Sequence, residues 1–199
     1  ELIKILQKKY IISFMRIKMK YMPNILTVLR LLACPLLIYL YEINDLSLVL
    51  IIFFLACLTD FFDGYLAKKG NFKSNFGKTL DPIADKLLII TMCGLIIFHH
   101  SIWVIEIPVY IIIIREMIVS FLRFNLADKN KNIDVSLLSK YKTFFQMIAI
   151  GSFILSLIVI YKFPGFILAP LSLILMWLSA FITIITGVQH FKTYLKLKK

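Results

Sequence analysis

Long apolar runs separated by short polar or basic stretches make up most of the chain after residue 24. A helix needs about 20 apolar residues to cross a bilayer, and six runs approach that length. The pattern therefore predicts an all-α integral membrane bundle of six transmembrane helices, with Pro82 in the first turn of the third. The predicted spans are Ile25–Tyr41, Leu46–Ala67, Asp81–Phe98, Trp103–Phe124, Phe144–Tyr161 and Phe166–Phe191.

The first 21 residues follow a different pattern. Leu2, Leu6, Tyr10 and Phe14 recur every four residues, and lysine and arginine fill the positions between them. A basic amphipathic helix of this kind lies in the membrane interface, where anionic lipids attract it. We therefore expect two parts, an interfacial segment at residues 1–21 and a membrane domain at residues 22–199.

Composition and charge agree with a membrane protein. Hydrophobic residues make up 60% of the chain, more than is usual in soluble domains. The formal net charge of +12 could indicate nucleic acid binding, yet the basic residues recur in every second loop. That alternation is the positive-inside pattern. With both termini in the cytoplasm, only Lys162 of the 23 Lys and Arg residues falls outside. Membrane lipids are therefore expected partners and nucleic acid is not.

Four aspartates lie where the second predicted span ends and the third begins: Asp60, Asp63, Asp81 and Asp85. The spacings i, i+3 and i, i+4 put each pair on one face of a helix. Four carboxylates at membrane depth repel one another unless a cation binds them. Hard divalent cations prefer carboxylate oxygens. The pattern therefore predicts a Mg²⁺ or Mn²⁺ site held by all four.

These aspartates belong to a longer motif. The run DFFDGYLAK from Asp60 to Lys68, followed by GKTLDPIAD from Gly77 to Asp85, resembles the signature of the CDP-alcohol phosphatidyltransferase family. Lys68 stands where the family usually carries arginine, which keeps the charge but loses the bidentate fork. The resemblance covers most of residues 22–190, through the segments MPNILTVLR, TDFFDGYLAKK, FGKTLDPIADKLL, IIREMIVSFLR and SKYKTFFQM.

The resemblance implies a reaction and a set of site residues. The donor is CDP-diacylglycerol, the acceptor is sn-glycerol 3-phosphate, and the products are phosphatidylglycerophosphate and CMP. Two metal ions are expected, with Asp60, Asp63 and Asp81 as the principal ligands. Asp85 is implied as a loose ligand and as the base that takes the proton of the acceptor. The CDP-lipid is expected to contact Asn24, Thr27, Gly64, Lys68, Ser74 and Gly77.

Two simpler interpretations apply to the start of the first predicted span. Asn24 and Thr27 are also ordinary residues for capping a helix. Arg30 could extend to the lipid headgroups, as long basic side chains near helix ends do. The sequence leaves both interpretations open beside the lipid-binding one.

The phosphate of the acceptor is a compact dianion, so its pocket needs fixed cations. The candidates are residues near the cytoplasmic ends of the fourth and fifth predicted spans, namely Arg115, Arg123, Lys140, Lys142 and Thr143. Because Arg115 and Glu116 are adjacent, they do not share a helix face, and each is expected to need its own partner. The alternative for each cation is headgroup binding or charge balance with Glu116 and Asp134.

Other functions use similar residues. The same chemistry could serve inositol phosphate, serine or phosphatidylglycerol as acceptor. A UbiA-type prenyltransferase would carry two separate Asp-rich motifs, and a divalent-cation transporter would carry acidic groups facing both sides of the membrane. Only one aspartate cluster is present, and Glu42, Asp45 and Glu106 form no second one. We therefore expect a phosphatidyltransferase rather than either of these.

The expected location is a bacterial inner membrane, which the chain crosses several times with its active site facing the cytoplasm. His99 and His100 would then lie at the outer surface, where we expect both to be solvated. Members of the family are commonly homodimers, and the sequence of this chain does not decide that point.

Overall fold

The computed structural model describes residues 25–70, 75–127, 137–162 and 168–198, with side chains described at 25–59, 83–125, 141–160 and 168–197. The predicted interfacial segment at residues 1–21 lies outside the described residues. Within them the chain is helical apart from short connections and contains no strand, so the predicted all-α fold is confirmed. The helices are α1 (25–42), α2 (Leu46–Gly70), α3 (Asn75–His99), α4 (Trp103–Ala127), α5 (Leu137–Lys162) and α6 (Leu168–Lys198).

Three segments of the described chain are long and apolar enough to cross a membrane: Ile25–Glu42, Tyr141–Ile160 and Leu168–Leu197. Leu46–Thr59, in the first part of α2, is a further apolar segment. The chain is thus a membrane protein by its apolar helices, while the count of six spans remains a prediction.

The helix α3 begins earlier than the hydropathy pattern indicates. It starts at Asn75, so Pro82 lies well beyond its first turn and the predicted position of Pro82 is wrong. Hydropathy marks the apolar section of a helix rather than its end, and polar residues such as Lys78 and Thr79 extend α3 in the N-terminal direction.

The connection between α1 and α2 is a tight turn. Asn44 adopts a φ of 62°, a left-handed conformation that asparagine tolerates better than most residues. Asp45 then caps α2, because its Oδ1 accepts a hydrogen bond from the backbone N–H of Leu48 at 3.1 Å. This capping bond satisfies one of the free N–H groups at the start of the helix.

The chain forms two compact units. The first consists of Glu1–Leu37 and Ile52–Leu88, and the second of Ile38–Ile51 and Ile89–Lys199. Within the second unit, α6 packs against both α4 and α5. The core of that unit includes the fully buried side chains of Ile112 on α4, Ile150 on α5 and Met176 on α6.

The buried stripe of α6 is largely polar and small. Large apolar side chains lie exposed on its other faces, for example Ile174 and Phe181. This is the arrangement of a helix in lipid, where small and hydroxyl side chains let neighbouring backbones approach. The stripe residues are alternately four and three residues apart, and they are Ser172, Met176, Ser179, Thr183, Thr186 and His190.

Pro108 creates a specific contact between α4 and α6. It lies inside α4, and because proline has no N–H, the carbonyl of Val104 one turn earlier lacks its usual helical donor. The indole Nε1–H of Trp177 on α6 donates to that carbonyl at 3.0 Å. The bond gives this carbonyl a donor from α6, and a hydrogen bond of this kind contributes about 0.5–1.5 kcal/mol, so it stabilises the packing of α6 on α4.

Candidate active site

The predicted metal ligands lie on two helices of the first unit. Asp60 and Asp63 fall on α2, and Asp81 and Asp85 fall on α3. Because the backbone is helical at all four positions, each pair shares a helix face, as the spacing predicts. The side chains of residues 60–82 lie outside the described part of the chain, so Asp85 is the member of the set whose contacts are described.

Asp85 forms an ion pair with Arg30. A guanidinium nitrogen of Arg30, Nη1, donates to Oδ1 of Asp85, which joins α1 to α3. The Arg30 side chain is 1% exposed, whereas that of Asp85 is 31% exposed. The proposed extension of Arg30 to the headgroups is therefore wrong, because burial of its guanidinium requires a carboxylate partner inside the protein.

The predicted CDP-lipid contacts are only partly described. Thr27 is buried one turn before Arg30 on α1. Gly64 and Lys68 lie on α2 and Gly77 lies on α3, with their side-chain positions outside the described part. Asn24 and Ser74 also fall outside the described residues.

A second polar cluster is buried in the second unit, centred on Glu116 of α4. Its Oε1 accepts hydrogen bonds from Nζ of Lys142, from Nε2 of Gln146 at 3.3 Å, and from Nη1 of Arg115 at 3.2 Å. Lys142 and Gln146 are four residues apart on α5, so they present one face to Glu116. The expectation of separate partners for Arg115 and Glu116 is therefore incomplete, since the two also pair with each other.

The hydroxyls of α6 complete this cluster. Thr186 Oγ1 accepts a hydrogen bond from Nη2 of Arg115 at 2.9 Å and itself donates to the carbonyls of Ile182 and Thr183, each at 3.0 Å. The Thr183 hydroxyl oxygen accepts a bond from Nε2 of Gln146 at 3.1 Å. The helices α4, α5 and α6 thus hold the Arg115 and Glu116 side chains in fixed positions.

The cluster carries more positive than negative charge. Arg123 interacts electrostatically with Arg115, and the buried His190 interacts with Arg115, Arg123, Lys142 and Glu116. Three cations against one carboxylate leave two positive charges in excess among these described side chains. Nε of Arg115 and Nε of Arg123 are both buried without a hydrogen-bond partner in the described part of the chain. An unpaired buried donor is costly, so the arrangement suits an anionic ligand.

The structure brings Arg115, Arg123 and Lys142 together, as the sequence predicts for the acceptor candidates. Thr143 follows Lys142 on α5 and is half-buried, and the side chain of Lys140 lies outside the described part. Sequence analysis missed Gln146, Thr183, Thr186 and His190, which all contact or face this cluster. For Thr183, Thr186 and His190, the signal that could have found them is the alternating four- and three-residue spacing of polar residues along the otherwise apolar α6.

A cavity of about 520 Å³ lies elsewhere in the second unit, at the C-terminal ends of α1 and α3. Tyr41, Glu42, His99 and His100 are among the described residues that line it. His100 Nε2 lies 2.9 Å from the Tyr41 hydroxyl, and His99 Nε2 lies 3.4 Å from Oε1 of Glu42. The expectation that both histidines are solvated is wrong for His100, because it bonds to Tyr41 and packs edge-on against Phe153.

This cavity is not a metal site by the described side chains, which contain no group of three or more His, Cys, Asp or Glu able to hold an ion. The three cysteines are free, at Cys34, Cys57 and Cys93.

The chain matches known proteins over most of its length. A family model described as CDP-alcohol phosphatidyltransferase matches residues 20–185. The chain is similar to the CDP-diacylglycerol–glycerol-3-phosphate 3-phosphatidyltransferase of Rickettsia typhi, with 44% identity over 178 residues, covering 87% of this chain and 97% of that one. It is 34% identical over 174 residues to the Haemophilus influenzae protein of the same name, covering 84% of this chain and 90% of that one.

Two crystal structures of the Mycobacterium tuberculosis phosphatidylinositol phosphate synthase share the fold. The one with CDP-DAG bound gives a TM-score of 0.62 at 20% identity, covering 86% of this chain and 85% of that one. The one in complex with manganese and citrate gives 0.63 at 19% identity, covering 92% and 86%. At this identity the likeness shows the fold alone.

Proposed function

Because this chain belongs to the CDP-alcohol phosphatidyltransferase family, we propose that it transfers the phosphatidyl group of CDP-diacylglycerol to sn-glycerol 3-phosphate. The products are phosphatidylglycerophosphate and CMP. The proposal is supported by the names of relatives that are 44% identical over nearly their whole length.

The observation that carries the acceptor assignment is the cluster around Glu116. A phosphate monoester is close to a dianion at neutral pH, and the cluster has two positive charges in excess. The guanidinium of Arg115 has five N–H donors. Its two terminal nitrogens, Nη1 and Nη2, donate to Glu116 and to Thr186. Its Nε and that of Arg123 still lack partners in the described part. Glycerol 3-phosphate can accept hydrogen bonds from both.

The carboxylates of α2 and α3 fit the divalent metal that the family implies. All four donors are oxygen, which is what Mg²⁺ and Mn²⁺ prefer, and helical backbone at each position keeps the pairs on shared faces. Asp60, Asp63, Asp81 and Asp85 would hold the metal, as two ions. A bound divalent cation would neutralise the negative charge of the CDP-lipid pyrophosphate.

Residues of this chain carry out the proton and binding steps. The acceptor hydroxyl oxygen attacks the phosphorus that bears the diacylglycerol, the phosphoanhydride bond breaks, and CMP leaves with the bridging oxygen. Asp85 takes the proton of the hydroxyl, and Arg30 holds the Asp85 carboxylate in place through the ion pair between α1 and α3. Thr27, Gly64, Lys68, Ser74, Gly77 and Asn24 bind the CDP-lipid.

The proposal also covers the topology, the two parts of the chain and the assembly. Six spans with both termini in the cytoplasm put the aspartates on the inner side of a bacterial inner membrane, where glycerol 3-phosphate is available. Residues 1–21 lie in the interface, and residues 22–199 form the membrane domain. A homodimer is the assembly that the family favours.

An acceptor screen tests this function directly. Purified protein with CDP-diacylglycerol and a divalent metal should release CMP with glycerol 3-phosphate, and not with serine or inositol phosphate. Turnover with either of those instead would assign the chain to another branch of the family. Absence of CMP release with every alcohol would contradict the proposed reaction.

Variants of the cluster test the acceptor pocket. Arg115→Ala and Lys142→Ala should each raise the KM for glycerol 3-phosphate about ten- to a hundredfold, because one charge-assisted contact contributes roughly 1.5–3 kcal/mol. The KM for CDP-diacylglycerol should change little. Lys192→Ala, which removes an exposed lysine of α6, is the matched control. An unchanged acceptor KM in both variants would show that the phosphate binds elsewhere.

A further inference from the structure

Gly187 of α6 lies directly against Arg115 of α4. A Cβ atom built on Gly187 would lie 3.1 Å from Cγ of Arg115, 3.4 Å from its Nε and 3.8 Å from its Cδ. A contact of 3.1 Å between carbon atoms is closer than the optimal separation of about 3.5–4.0 Å. Any side chain at position 187 would therefore displace the stem of Arg115 by a few tenths of an ångström.

The neighbouring residue on α6 fixes the other end of the same side chain. The Thr186 hydroxyl directs its hydrogen to the backbone carbonyls of Ile182 and Thr183. Its oxygen is therefore left to accept from Nη2 of Arg115, at 2.9 Å. Two adjacent positions of α6 thus act on one arginine, Gly187 on its stem and Thr186 on its guanidinium.

The stem of Arg115 has little freedom to move elsewhere. Arg115 is buried, and its Nη1 also donates to Glu116 at 3.2 Å. A shift at Cγ and Nε would therefore rotate a guanidinium that is bonded at both terminal nitrogens. The nitrogen nearest to Gly187 is Nε, which has no hydrogen-bond partner in the described part of the chain. The absence of a side chain at position 187 lets α6 pack closely against this part of Arg115 without displacing it.

We propose that Gly187 and Thr186 are positioning residues for the acceptor, which hold the Arg115 guanidinium where it receives the acceptor phosphate. This inference rests on the proposed role of Arg115 in binding glycerol 3-phosphate. It adds that α6 sets the affinity for the acceptor without touching it, through the direction of one side chain.

The test measures both Michaelis constants for Gly187→Ala in the full-length protein. The KM for glycerol 3-phosphate should rise roughly three- to tenfold, since a misdirected charge-assisted contact is weakened rather than lost. The KM for CDP-diacylglycerol should stay unchanged. Alanine has the higher helix propensity, so weaker folding of α6 would not account for the change.

Gly94→Ala is the matched control. Gly94 also lies within a helix, and a Cβ there would meet nothing within 4 Å. Both Michaelis constants should stay at their wild-type values in this variant. An equal rise in Gly94→Ala would mean that the effect belongs to any glycine replacement, which would overturn the proposal.

A double-mutant cycle separates a positioning role from a structural one. In an Arg115→Ala background, Gly187→Ala should cause no further rise in the acceptor KM, because the side chain it displaces is gone. Full additivity of the two changes would overturn the proposal. Thr186→Val, which removes the hydroxyl but keeps the shape, should raise the acceptor KM by a similar factor. It also serves as the second variant if Gly187→Ala folds poorly, and an unchanged acceptor KM in it would overturn the proposal.

The cycle also distinguishes this inference from the function on which it rests. If Arg115→Ala raises the acceptor KM while Gly187→Ala and Thr186→Val do not, the positioning role fails and the acceptor pocket stands. If Arg115→Ala itself leaves the acceptor KM unchanged, both fail together.

Discussion

Lys142 on α5 donates a hydrogen bond to the Glu116 carboxylate on α4, and both side chains are almost completely buried. Two charges inside a membrane protein are costly unless they pair and all their hydrogen-bonding groups are satisfied. Glu116 is paired in this way, because its Oε1 accepts hydrogen bonds from Lys142, Gln146 and Arg115. Because the same carboxylate serves two cations, it fixes their separation as well as their charge.

Loss of the Glu116 charge should destabilise the protein. Glu116→Gln leaves Lys142 and Arg115 without their shared counter-ion, and breaking a buried ion pair costs about 3–5 kcal/mol. The unfolding midpoint in detergent should fall clearly. Adding glycerol 3-phosphate should raise the midpoint of the variant by more than it raises that of the wild type. Glu106→Gln on the same helix, where Glu106 bonds to Ser101 at the surface, should leave the midpoint nearly unchanged. Equal midpoints in both variants would contradict the role of Glu116.

Asp85→Asn should bind CDP-diacylglycerol but lose nearly all turnover, because the amide has a similar volume and cannot accept the proton of the acceptor. Asp60→Ala, Asp63→Ala and Asp81→Ala should also abolish CMP release, and their binding of the CDP-lipid should no longer depend on divalent metal. Asp45→Asn, at the cap of α2, is the control and should retain activity. Wild-type turnover by Asp85→Asn would exclude it as the base.

Labelling of single cysteines tests the topology. A cysteine at Asn44, His100 or Lys162 should react with an impermeant reagent from the outer side, and one at Asn71 or Lys131 should not. The natural Cys34, Cys57 and Cys93 are first replaced, which should be tolerated because none forms a disulfide. Reaction at Asn71 from outside would invert the protein and move the aspartates away from a cytoplasmic acceptor.

Stability should fall in mild acid because of His100, which lies between α3 and α4 and outside the membrane-spanning segments. Burial, and then the nearby His99, lowers the pKa of His100 below its usual 6.5. The folded state therefore disfavours protonated His100. The contribution of neutral His100 to folding stability is full above about pH 6.5 and is lost as the pH falls through the folded pKa. The unfolding midpoint should drop as the pH falls below about 6.5.

His100→Gln is the control for this pH dependence, because glutamine can still bond to the Tyr41 hydroxyl and does not titrate. The midpoint of this variant should depend less on pH over the same range. Identical pH profiles for the variant and the wild type would show that another group titrates.

The sequence predicted the helical class and the candidate chemistry because both depend on local patterns. Apolar runs determine where helices lie, and the spacing of Asp81 and Asp85 is enough to place them on one face of α3. The grouping of Arg115 with Lys142 was predicted as well, since each lies near the cytoplasmic end of a predicted span.

The contacts between distant residues could not be predicted in this way. The pairing of Arg30 with Asp85 and the hydrogen bond from Arg115 to Thr186 depend on how helices pack, and hydropathy carries no information on packing. Position 187 looks like any glycine in an apolar helix, and its importance appears only when the Arg115 stem is found against it. The start of α3 at Asn75 was missed because a helix can extend past its apolar section.

The bond from Trp177 to the Val104 carbonyl means that two positions on different helices should change together during evolution or design. With Pro108 in α4, replacing Trp177 by phenylalanine leaves the Val104 carbonyl without a donor. An alanine at position 108 would instead supply the missing N–H from within the helix. The order of the two substitutions then matters. If Pro108→Ala comes first, the Val104 carbonyl keeps a donor throughout, whereas if Trp177→Phe comes first, the single variant is destabilised. Relatives that lack the proline are therefore free to lose the tryptophan.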